Sequence, residues 1–197
     1  MELNESYWTE RYENGQTGWD IGYAAPAILD YFKSLMQKEV RILIPGGGNG
    51  YEAAALFEMG FQNVYLLDLS AAPLQNFQEK HLHFPKENLI HADFFSHEGN
   101  YDLIVEQTFF CALHPDLRRK YVQKVNSLLN EEGRLVGLLF DAPLNTDHPP
   151  FGGSKAAYVP LFVPYFNILQ MEITDRSIKP RLGKELFIEM TPLKVKN

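Results

Sequence analysis

A glycine-rich segment directly follows the first apolar run of the chain and is a strong candidate for a ligand-binding loop. Residues 40–44 are typical of a buried strand, and Gly46, Gly48 and Gly50 follow at alternate positions. Because glycine has no side chain, such a loop can turn tightly and let its backbone approach a ligand closely. A dinucleotide-binding loop would have glycine or alanine at position 51, where this chain has Tyr51. The absence of a Lys-Ser/Thr pair after the loop also excludes a phosphate-binding P-loop.

Two acidic residues at the ends of later predicted strands have the chemistry to hold a nucleoside. Asp68 follows the predicted strand 64–67, where its carboxylate could accept hydrogen bonds from both hydroxyls of a ribose. Asp93 follows the predicted strand 88–91, where it could accept the amino group of an adenine while Phe94 packs on the base. Asp93 could instead be a helix cap or a solvated loop residue. With the glycine segment, the order of these residues on successive strands predicts a site for a nucleoside cofactor.

The rest of the chain predicts a scaffold that brings these strand ends together. Helices are predicted over residues 6–12, 26–37, 53–59, 73–81 and 115–129, and strands over residues 40–44, 64–67, 88–91, 101–105, 135–140, 168–174 and 185–191. Alternating strands and helices predict a doubly wound α/β fold with a mainly parallel sheet of about seven strands. The last two strands have no helix between them, so we expect a C-terminal antiparallel hairpin. Residues 142–155, which contain several prolines and glycines, are expected to be irregular.

The composition of the 197-residue chain limits the possible classes of function. Hydrophobic residues make up 45% of the chain, enough for one domain with a full core, and the formal net charge is −7. An acidic surface repels phosphate backbones, so we expect no nucleic-acid partner. No apolar run is long enough to cross a bilayer, so we expect no membrane partner, and the acidic start of the chain is unlike a signal peptide. With a single cysteine, Cys111, these features predict a cytoplasmic protein.

Other potentially reactive side chains are weaker candidates for functional residues. Cys111 has the type of a nucleophile, but a buried structural thiol is the favoured interpretation because no partner histidine can be argued from the sequence. His81 and His83 are two residues apart, and no cluster of cysteines or carboxylates completes a metal site around them. We therefore predict no metal.

Five short motifs follow one another along nearly the whole chain. They are YWTERY at 7–12 with TGWD at 17–20, LIPGGG at 43–48, YDLIVEQTFFCA at 101–112, PPF at 149–151 and RLGKE at 181–185. In this order and spacing they resemble the thiopurine S-methyltransferase family, and within it the plant-type halide/thiol methyltransferase branch. The resemblance implies a class I, Rossmann-like methyltransferase that uses S-adenosylmethionine.

The resemblance also implies which residues contact the cofactor. Trp8 and Tyr12 share one face of a helix, and with Trp19 they could close over the methionine end, since an aromatic face attracts a sulfonium cation by about 0.5–2 kcal/mol. These aromatic residues could instead anchor the N-terminal segment to the core. Glu106, at the end of the fourth strand, would lie beside the methyl group. The cofactor-binding set implied by the resemblance is Trp8, Tyr12, Trp19, Gly46, Asp68, Asp93, Phe94 and Glu106, and the glycine spacing of the loop adds Gly48 and Gly50.

The acceptor is expected to be a small molecule with a soft nucleophile. Methyl transfer from a sulfonium is an in-line displacement that depends mainly on alignment, and an anionic acceptor needs no general base. This chain has Glu106-Gln107 where the branch commonly has Asp-Tyr, and Phe151 where the branch has Tyr, which leaves the acceptor open among a thiol or thiopurine, hydrogen sulfide, thiocyanate and a halide. His114 could serve as a base for a neutral thiol or could be a helix-capping residue. The candidates for the acceptor pocket are Phe109, Phe110, His114, Phe151 and Tyr158, and the four aromatic residues among them could instead belong to the hydrophobic core.

One domain is expected over residues 1–197, and successive segments of it are expected to have different roles. Residues 1–38 would cover the cofactor, 39–141 would form its binding core, 142–166 would lie on the acceptor side and 167–197 would form the C-terminal hairpin. Three rival functions remain: a non-catalytic cofactor-binding module, a nicotinamide-dependent oxidoreductase on the same sheet, and a methyltransferase that acts on protein or RNA. The oligomeric state is left open.

Overall fold

Seven strands form one sheet in the computed structural model, which describes residues 2–194. In chain order they are β1 (Ile42–Pro45), β2 (Val64–Asp68), β3 (Leu89–His91), β4 (Tyr101–Gln107), β5 (Leu129–Phe140), β6 (Phe166–Ile173) and β7 (Glu185–Pro192). The spatial order is β3-β2-β1-β4-β5-β7-β6. Strands β1 to β5 pair in parallel, and β7 runs antiparallel between β5 and β6. The predicted doubly wound sheet with a C-terminal antiparallel hairpin is confirmed.

Helices cover both faces of this sheet. They are α1 (Glu5–Glu13), α2 (Pro26–Lys33), α3 (Tyr51–Glu58), α4 (Ala71–Lys80), α5 (Arg118–Leu128) and α6 (Lys155–Phe162), with 3₁₀ turns at Lys86–Asn88, Pro115–Leu117 and Lys179–Arg181. Side chains from α2, α3 and α4 form one buried cluster with alternate strand residues such as Ile42 and Ile44. Side chains from α5 and α6 form a second cluster with the strand residues that point the other way, such as Leu43. The alternation along each strand therefore separates the core into two layers.

The largest differences between the predicted elements and the structure concern α2, β5 and α6. Helix α2 ends at Lys33, four residues earlier than expected. Strand β5 begins at Leu129 rather than at residue 135, although its pairing with β4 jumps from Leu129 to Arg134 across an irregularity. Helix α6 was not predicted because it contains Pro160, which lacks the N–H that a helix interior needs. Burial of Tyr158 and Phe162 on the same short helix compensates for the missing hydrogen bond.

The topology places the carboxyl ends of β1, β2, β3 and β4 side by side at one edge of the sheet. Strand β1 lies between β2 and β4, so the connections leaving the two sides of β1 diverge at the glycine segment. Open α/β sheets bind ligands in the crevice at such a point. The same region holds Asp68 and the segment that begins at Asp93. Within residues 2–194 no helix has both the length and the apolar character needed to cross a membrane.

Candidate active site

A cavity of about 400 Å³ opens at this edge of the sheet. It is bounded by helix α1, by the ends of β1, β2 and β4, and by the segments that follow β3 and β4. Of the residues singled out in the sequence, the cavity is lined by Trp8, Tyr12, Trp19, Gly46, Asp68, Asp93, Phe94, Phe109 and His114. Residues separated by more than a hundred positions in the chain therefore meet in one place.

The glycine segment is shaped by close contacts with aromatic rings. Gly46 has φ +58°, and a Cβ at this position would lie 2.2 Å from the ring of Phe109. Gly48 has φ +52°, and a Cβ there would lie 2.3 Å from the hydroxyl of Tyr12. Both positions therefore require glycine for their backbone conformation and for space.

Gly50 has a different environment from the other two glycines. It lies just before α3, has φ +70° and faces Phe77 and Leu66 in the core, so a Cβ there would collide with buried side chains. Gly46 faces the main cavity, whereas Gly50 does not line it. The structure thus assigns Gly50 to packing and places Gly46 on the wall of the main cavity.

Asp68 lies at the end of β2 with 6% of its surface exposed and lines the cavity. One carboxylate oxygen accepts the backbone N–H of Gly48 at 2.9 Å, and the other accepts the backbone N–H of Ser70 at 2.9 Å. Burial raises the pKa of this carboxyl above its ordinary value, while the two backbone donors act in the opposite direction. A carboxylate has about four acceptor sites, so about two remain for the hydroxyls of a ribose.

Asp93 and Phe94 lie beside each other at the far end of the cavity. Asp93 is exposed, and one of its oxygens accepts the backbone N–H of Phe95 at 3.0 Å. Phe94 is buried, with its ring centroid 5.2 Å from that of Phe109. The structure brings both predicted adenine contacts to the cavity wall, and it also shows the turn-stabilising bond that the alternative interpretation of Asp93 requires.

The N-terminal aromatic residues form a cluster over the cavity. The ring of Trp19 lies 5.6 Å from that of Trp8 and 5.9 Å from that of Tyr12, in edge-to-face geometry. Such pairs add about 0.5–1.5 kcal/mol beyond their buried area. The backbone carbonyl of Trp19 accepts a hydrogen bond at 2.7 Å from Arg181, the first residue of the RLGKE motif. That motif therefore ties the region before β7 to the aromatic cluster.

Helix α1 is fastened to the sheet mainly through polar contacts. The hydroxyls of Thr9 and Ser70 lie 2.8 Å apart, and Glu5 lies 2.8 Å from the imidazole of His91. No residue of α1 is buried. A helix held in this way depends little on the hydrophobic core, which is compatible with its predicted role as a cover.

A second cavity of about 40 Å³ adjoins the first and shares Tyr12, Trp19, Gly46 and Thr108 with it. Its wall includes Asp20 and Gln107, which the sequence had not identified as site residues.

The wall of the second cavity contains hydrogen-bond acceptors of the kind that bind a cationic group. Asp20 accepts a hydrogen bond from the amide of Asn49 at 2.6 Å and from the hydroxyl of Tyr51 at 3.2 Å. The side-chain oxygen of Gln107 is buried and has no hydrogen-bond partner in the part of the chain that the structure describes. A buried acceptor without a donor costs about 1–3 kcal/mol, so an N–H donor from a ligand would be favourable here.

Glu106 does not line the main cavity. Its side chain is fully buried, and its carboxylate is bound by the N–H groups of Phe109 and Phe110 and by the hydroxyl of Tyr121. The expectation that this side chain reaches the methyl group has no support in its placement, because its polar atoms point into the protein. Strand position alone could not reveal that the chain folds back onto the carboxylate.

The candidates for the acceptor pocket fall into two groups, those that line the cavity and those that are buried. Phe109 and His114 line the cavity, whereas Phe110, Phe151 and Tyr158 are buried behind it. The ring of Phe151 lies 5.5 Å from that of His114 and supports it from behind. The hydroxyl of Tyr158 donates to the backbone carbonyl of Phe140 at 2.8 Å, which fixes it in the core.

Cys111 borders the cavity but has the surroundings of a structural thiol. Only 7% of the residue is exposed, and its Sγ donates to the carbonyl of Thr108 at 3.2 Å. Burial raises the pKa of this thiol to about 12, so it carries its proton near neutral pH and is a poor nucleophile. Among residues 2–194 no group of three or more His, Cys, Asp or Glu side chains is placed to hold a metal ion.

Comparisons with known proteins agree on one family. The model of the thiopurine S-methyltransferase family matches residues 3–190. A probable thiol methyltransferase 2 of Arabidopsis thaliana is 29% identical over 184 residues, which cover 90% of this chain and 81% of that protein. A thiocyanate methyltransferase 1 of Brassica oleracea is 30% identical over 189 residues, which cover 93% of this chain and 83% of that protein.

Solved structures support the fold. The 1,6-didemethyltoxoflavin-N1-methyltransferase of Burkholderia thailandensis, solved with S-adenosylhomocysteine, has a TM-score of 0.74 and 17% sequence identity. The match covers 97% of this chain and 87% of that one. At this identity the likeness concerns the fold alone. The family match over nearly the whole chain, on a sheet of this topology, shows that the protein belongs to the thiopurine S-methyltransferase family and is an S-adenosylmethionine-dependent methyltransferase.

Proposed function

We propose that this enzyme transfers the methyl group of S-adenosylmethionine to the sulfur of a small, apolar, neutral thiol. Asp68 would hold the ribose hydroxyls, and Asp93 and Phe94 would hold the adenine. The single observation that carries the choice of acceptor is the character of the remaining cavity wall. It is formed mainly by Phe109, Cys111, Ala112, Leu113, Leu117, Pro149 and Pro150.

The residues of the second cavity fit the amino-acid end of the cofactor. The unpartnered oxygen of Gln107 and the carboxylate of Asp20 can accept N–H donors from an α-ammonium group. Gly46 belongs to both cavities and leaves the space that a side chain would fill. When bound, S-adenosylmethionine supplies an electrophilic methyl group. Trp8, Tyr12 and Trp19 present aromatic rings, which attract a sulfonium.

The charge of the main cavity favours a neutral acceptor over an anion. In the described part of the chain, its charged or titratable wall residues are Glu5, Asp68, Asp93 and His114, together with Tyr12 and Cys111, and no lysine or arginine lines it. An anion such as iodide or thiocyanate would lose its hydration without gaining a cationic side chain of the protein, so that the sulfonium of the cofactor would be its one cationic partner. An apolar thiol loses little on entering the same space and gains contact with the apolar wall.

A neutral thiol must lose its proton as the carbon–sulfur bond forms, and His114 is placed to receive it. The imidazole lies on the cavity wall and is exposed, so a proton that it accepts can pass to solvent. Its Nδ1 lies 3.4 Å from both the backbone nitrogen and a carboxylate oxygen of Asp116. In the tautomer whose Nδ1–H donates to this carboxylate, Nε2 has no proton and can accept that of the thiol.

An acceptor panel with methyl-labelled cofactor tests the proposal. We expect an alkyl thiol and an aromatic thiol to give kcat/KM values at least about tenfold above those for thiocyanate and iodide, since about 1.4 kcal/mol of unpaired burial corresponds to tenfold. The matched alcohol of each thiol serves as a control for binding without a soft nucleophile. Volatile and non-volatile methyl products are counted separately. Faster methylation of thiocyanate or iodide than of either thiol would contradict the proposal.

Other features of the proposed role remain predictions. The net charge of −7 supports a small-molecule acceptor and the absence of a nucleic-acid partner. The single cysteine supports a location in the cytoplasm. We also propose that residues 1–38 cover the cofactor and that 142–166 lie on the acceptor side. Pro149 and Pro150 on the cavity wall support the second assignment.

A further inference from the structure

Glu106 is the penultimate residue of β4, and its carboxylate has no exposed surface. Its Oε1 accepts the backbone N–H groups of Phe109 at 2.9 Å and Phe110 at 2.8 Å. Its Oε2 accepts the hydroxyl of Tyr121 at 2.5 Å. The carboxylate therefore fastens two consecutive backbone amides to a hydroxyl on helix α5.

The segment fastened in this way, residues 108–112 directly after β4, is called here the acceptor turn. Thr108 in this turn has φ 60°, a left-handed conformation that is strained for a β-branched residue. Phe109 presses its ring against Gly46 and also lines the cavity. Strained backbone persists only where the surroundings hold it. The backbone N–H groups of Phe109 and Phe110, which directly follow Thr108, donate hydrogen bonds to Glu106. These two hydrogen bonds hold the strained conformation.

Glu106 and Tyr121, which hold the acceptor turn, are themselves fixed by packing. A Cβ at Gly137 on β5 would lie 2.0 Å from the backbone oxygen of Glu106. The backbones of β4 and β5 are therefore in close contact at Glu106. The ring of Tyr121 lies 5.1 Å from that of Phe110 and 5.9 Å from that of Phe109. The hydroxyl of Tyr121 is therefore fixed by packing against the same turn that the carboxylate holds.

We infer that Glu106 and Tyr121 are positioning residues that set the conformation of the acceptor turn, and through it the alignment of the acceptor thiol, without touching cofactor or acceptor. The inference rests on the proposed function for its kinetic consequences. In-line displacement is sensitive to alignment, so a small shift of Phe109 lowers turnover. The proposed cofactor contacts lie outside this turn, so we expect cofactor affinity to change little.

Three variants test the inference. Glu106→Gln keeps an oxygen for both amides and offers an N–H group to the oxygen of Tyr121, so we expect kcat/KM for the thiol within about threefold of the parent enzyme. Glu106→Leu removes every hydrogen bond, and Tyr121→Phe removes only the one from the hydroxyl. We expect both to lower kcat/KM by about tenfold or more, with the Kd of S-adenosylhomocysteine changed less than about twofold. If Glu106→Leu does not fold, Tyr121→Phe decides the matter.

A control and a second measurement separate positioning from general stability. Val125→Ala removes buried volume on the same helix as Tyr121, and it should lower stability without changing acceptor KM or kcat at a temperature where the variant stays folded. Amide hydrogen exchange of Phe109 and Phe110 should speed up in Tyr121→Phe but not in Val125→Ala. An equal loss of cofactor affinity in Glu106→Leu, or unchanged kinetics and exchange in Tyr121→Phe, overturns the inference. If the parent enzyme methylates no thiol, the proposed function fails, and the exchange measurement still decides the inference.

Discussion

Replacing Asp68 with alanine is expected to weaken the binding of S-adenosylmethionine by about 1.5–3 kcal/mol, the range for hydrogen bonds to a charged group. This corresponds to a Kd roughly ten- to 150-fold higher. The physical reason is that the carboxylate borders the cavity and retains acceptor sites beyond the two used by Gly48 and Ser70. Calorimetric titration with S-adenosylhomocysteine measures the change.

The same substitution also removes two structural hydrogen bonds, so a matched control is needed. Asp102 lies near the other end of the sheet, where its carboxylate accepts the backbone N–H of Arg41 at 2.8 Å and the amide of Asn130 at 2.7 Å. Asp102→Ala should therefore lower thermal stability and leave cofactor affinity unchanged. If both alanine variants weaken binding to the same extent, Asp68 acts through stability and does not hold the ribose.

A second large effect is expected in the pH dependence of stability. Burial raises the pKa of Glu106 from 4.5 to about 7, and the hydrogen bonds from Phe110, Tyr121 and Phe109 only partly oppose this. Between these values the unfolded chain loses the proton that the folded chain keeps, so the free energy of unfolding falls as pH rises. One pKa unit corresponds to 1.36 kcal/mol, so the decrease from this group approaches about 3 kcal/mol.

Glu106→Gln isolates this contribution because glutamine does not ionise. The difference in unfolding free energy between the variant and the parent enzyme should shift by up to about 3 kcal/mol in favour of the variant between about pH 5 and about pH 8. Denaturant unfolding at several pH values measures it, and all other titrating groups cancel in the difference. Parallel curves for the two proteins would show that the pKa of Glu106 in the folded state is near its ordinary value.

The parts of the site that could be predicted from the sequence are those that depend on strand order. Gly46, Asp68 and Asp93 follow successive strands, and parallel strands end at the same edge of a sheet, so their convergence follows from the linear pattern. The second cavity was missed because Asp20 and Gln107 lie far apart in the chain and meet only through the fold.

The direction of a side chain at a strand end could not be predicted in the same way. Glu106 occupies the expected position, yet the following turn folds back and supplies two N–H donors that draw the carboxylate inward. Tyr158 and Phe151 face the core because their partners, the carbonyl of Phe140 and the ring of His114, are set by tertiary packing. Local pattern contains no information on these contacts.

S-adenosylmethionine is expected to bind across the carboxyl ends of β1 to β4, and a crystal structure of the protein with S-adenosylhomocysteine would locate the bound ligand. We expect the ribose hydroxyls within hydrogen-bond distance of Asp68 and the adenine against Phe94. We also expect the amino-acid end beside Gln107 and Asp20. A ligand bound elsewhere on the protein, or one that leaves both Asp68 and Gln107 without contact, would rule out this binding site.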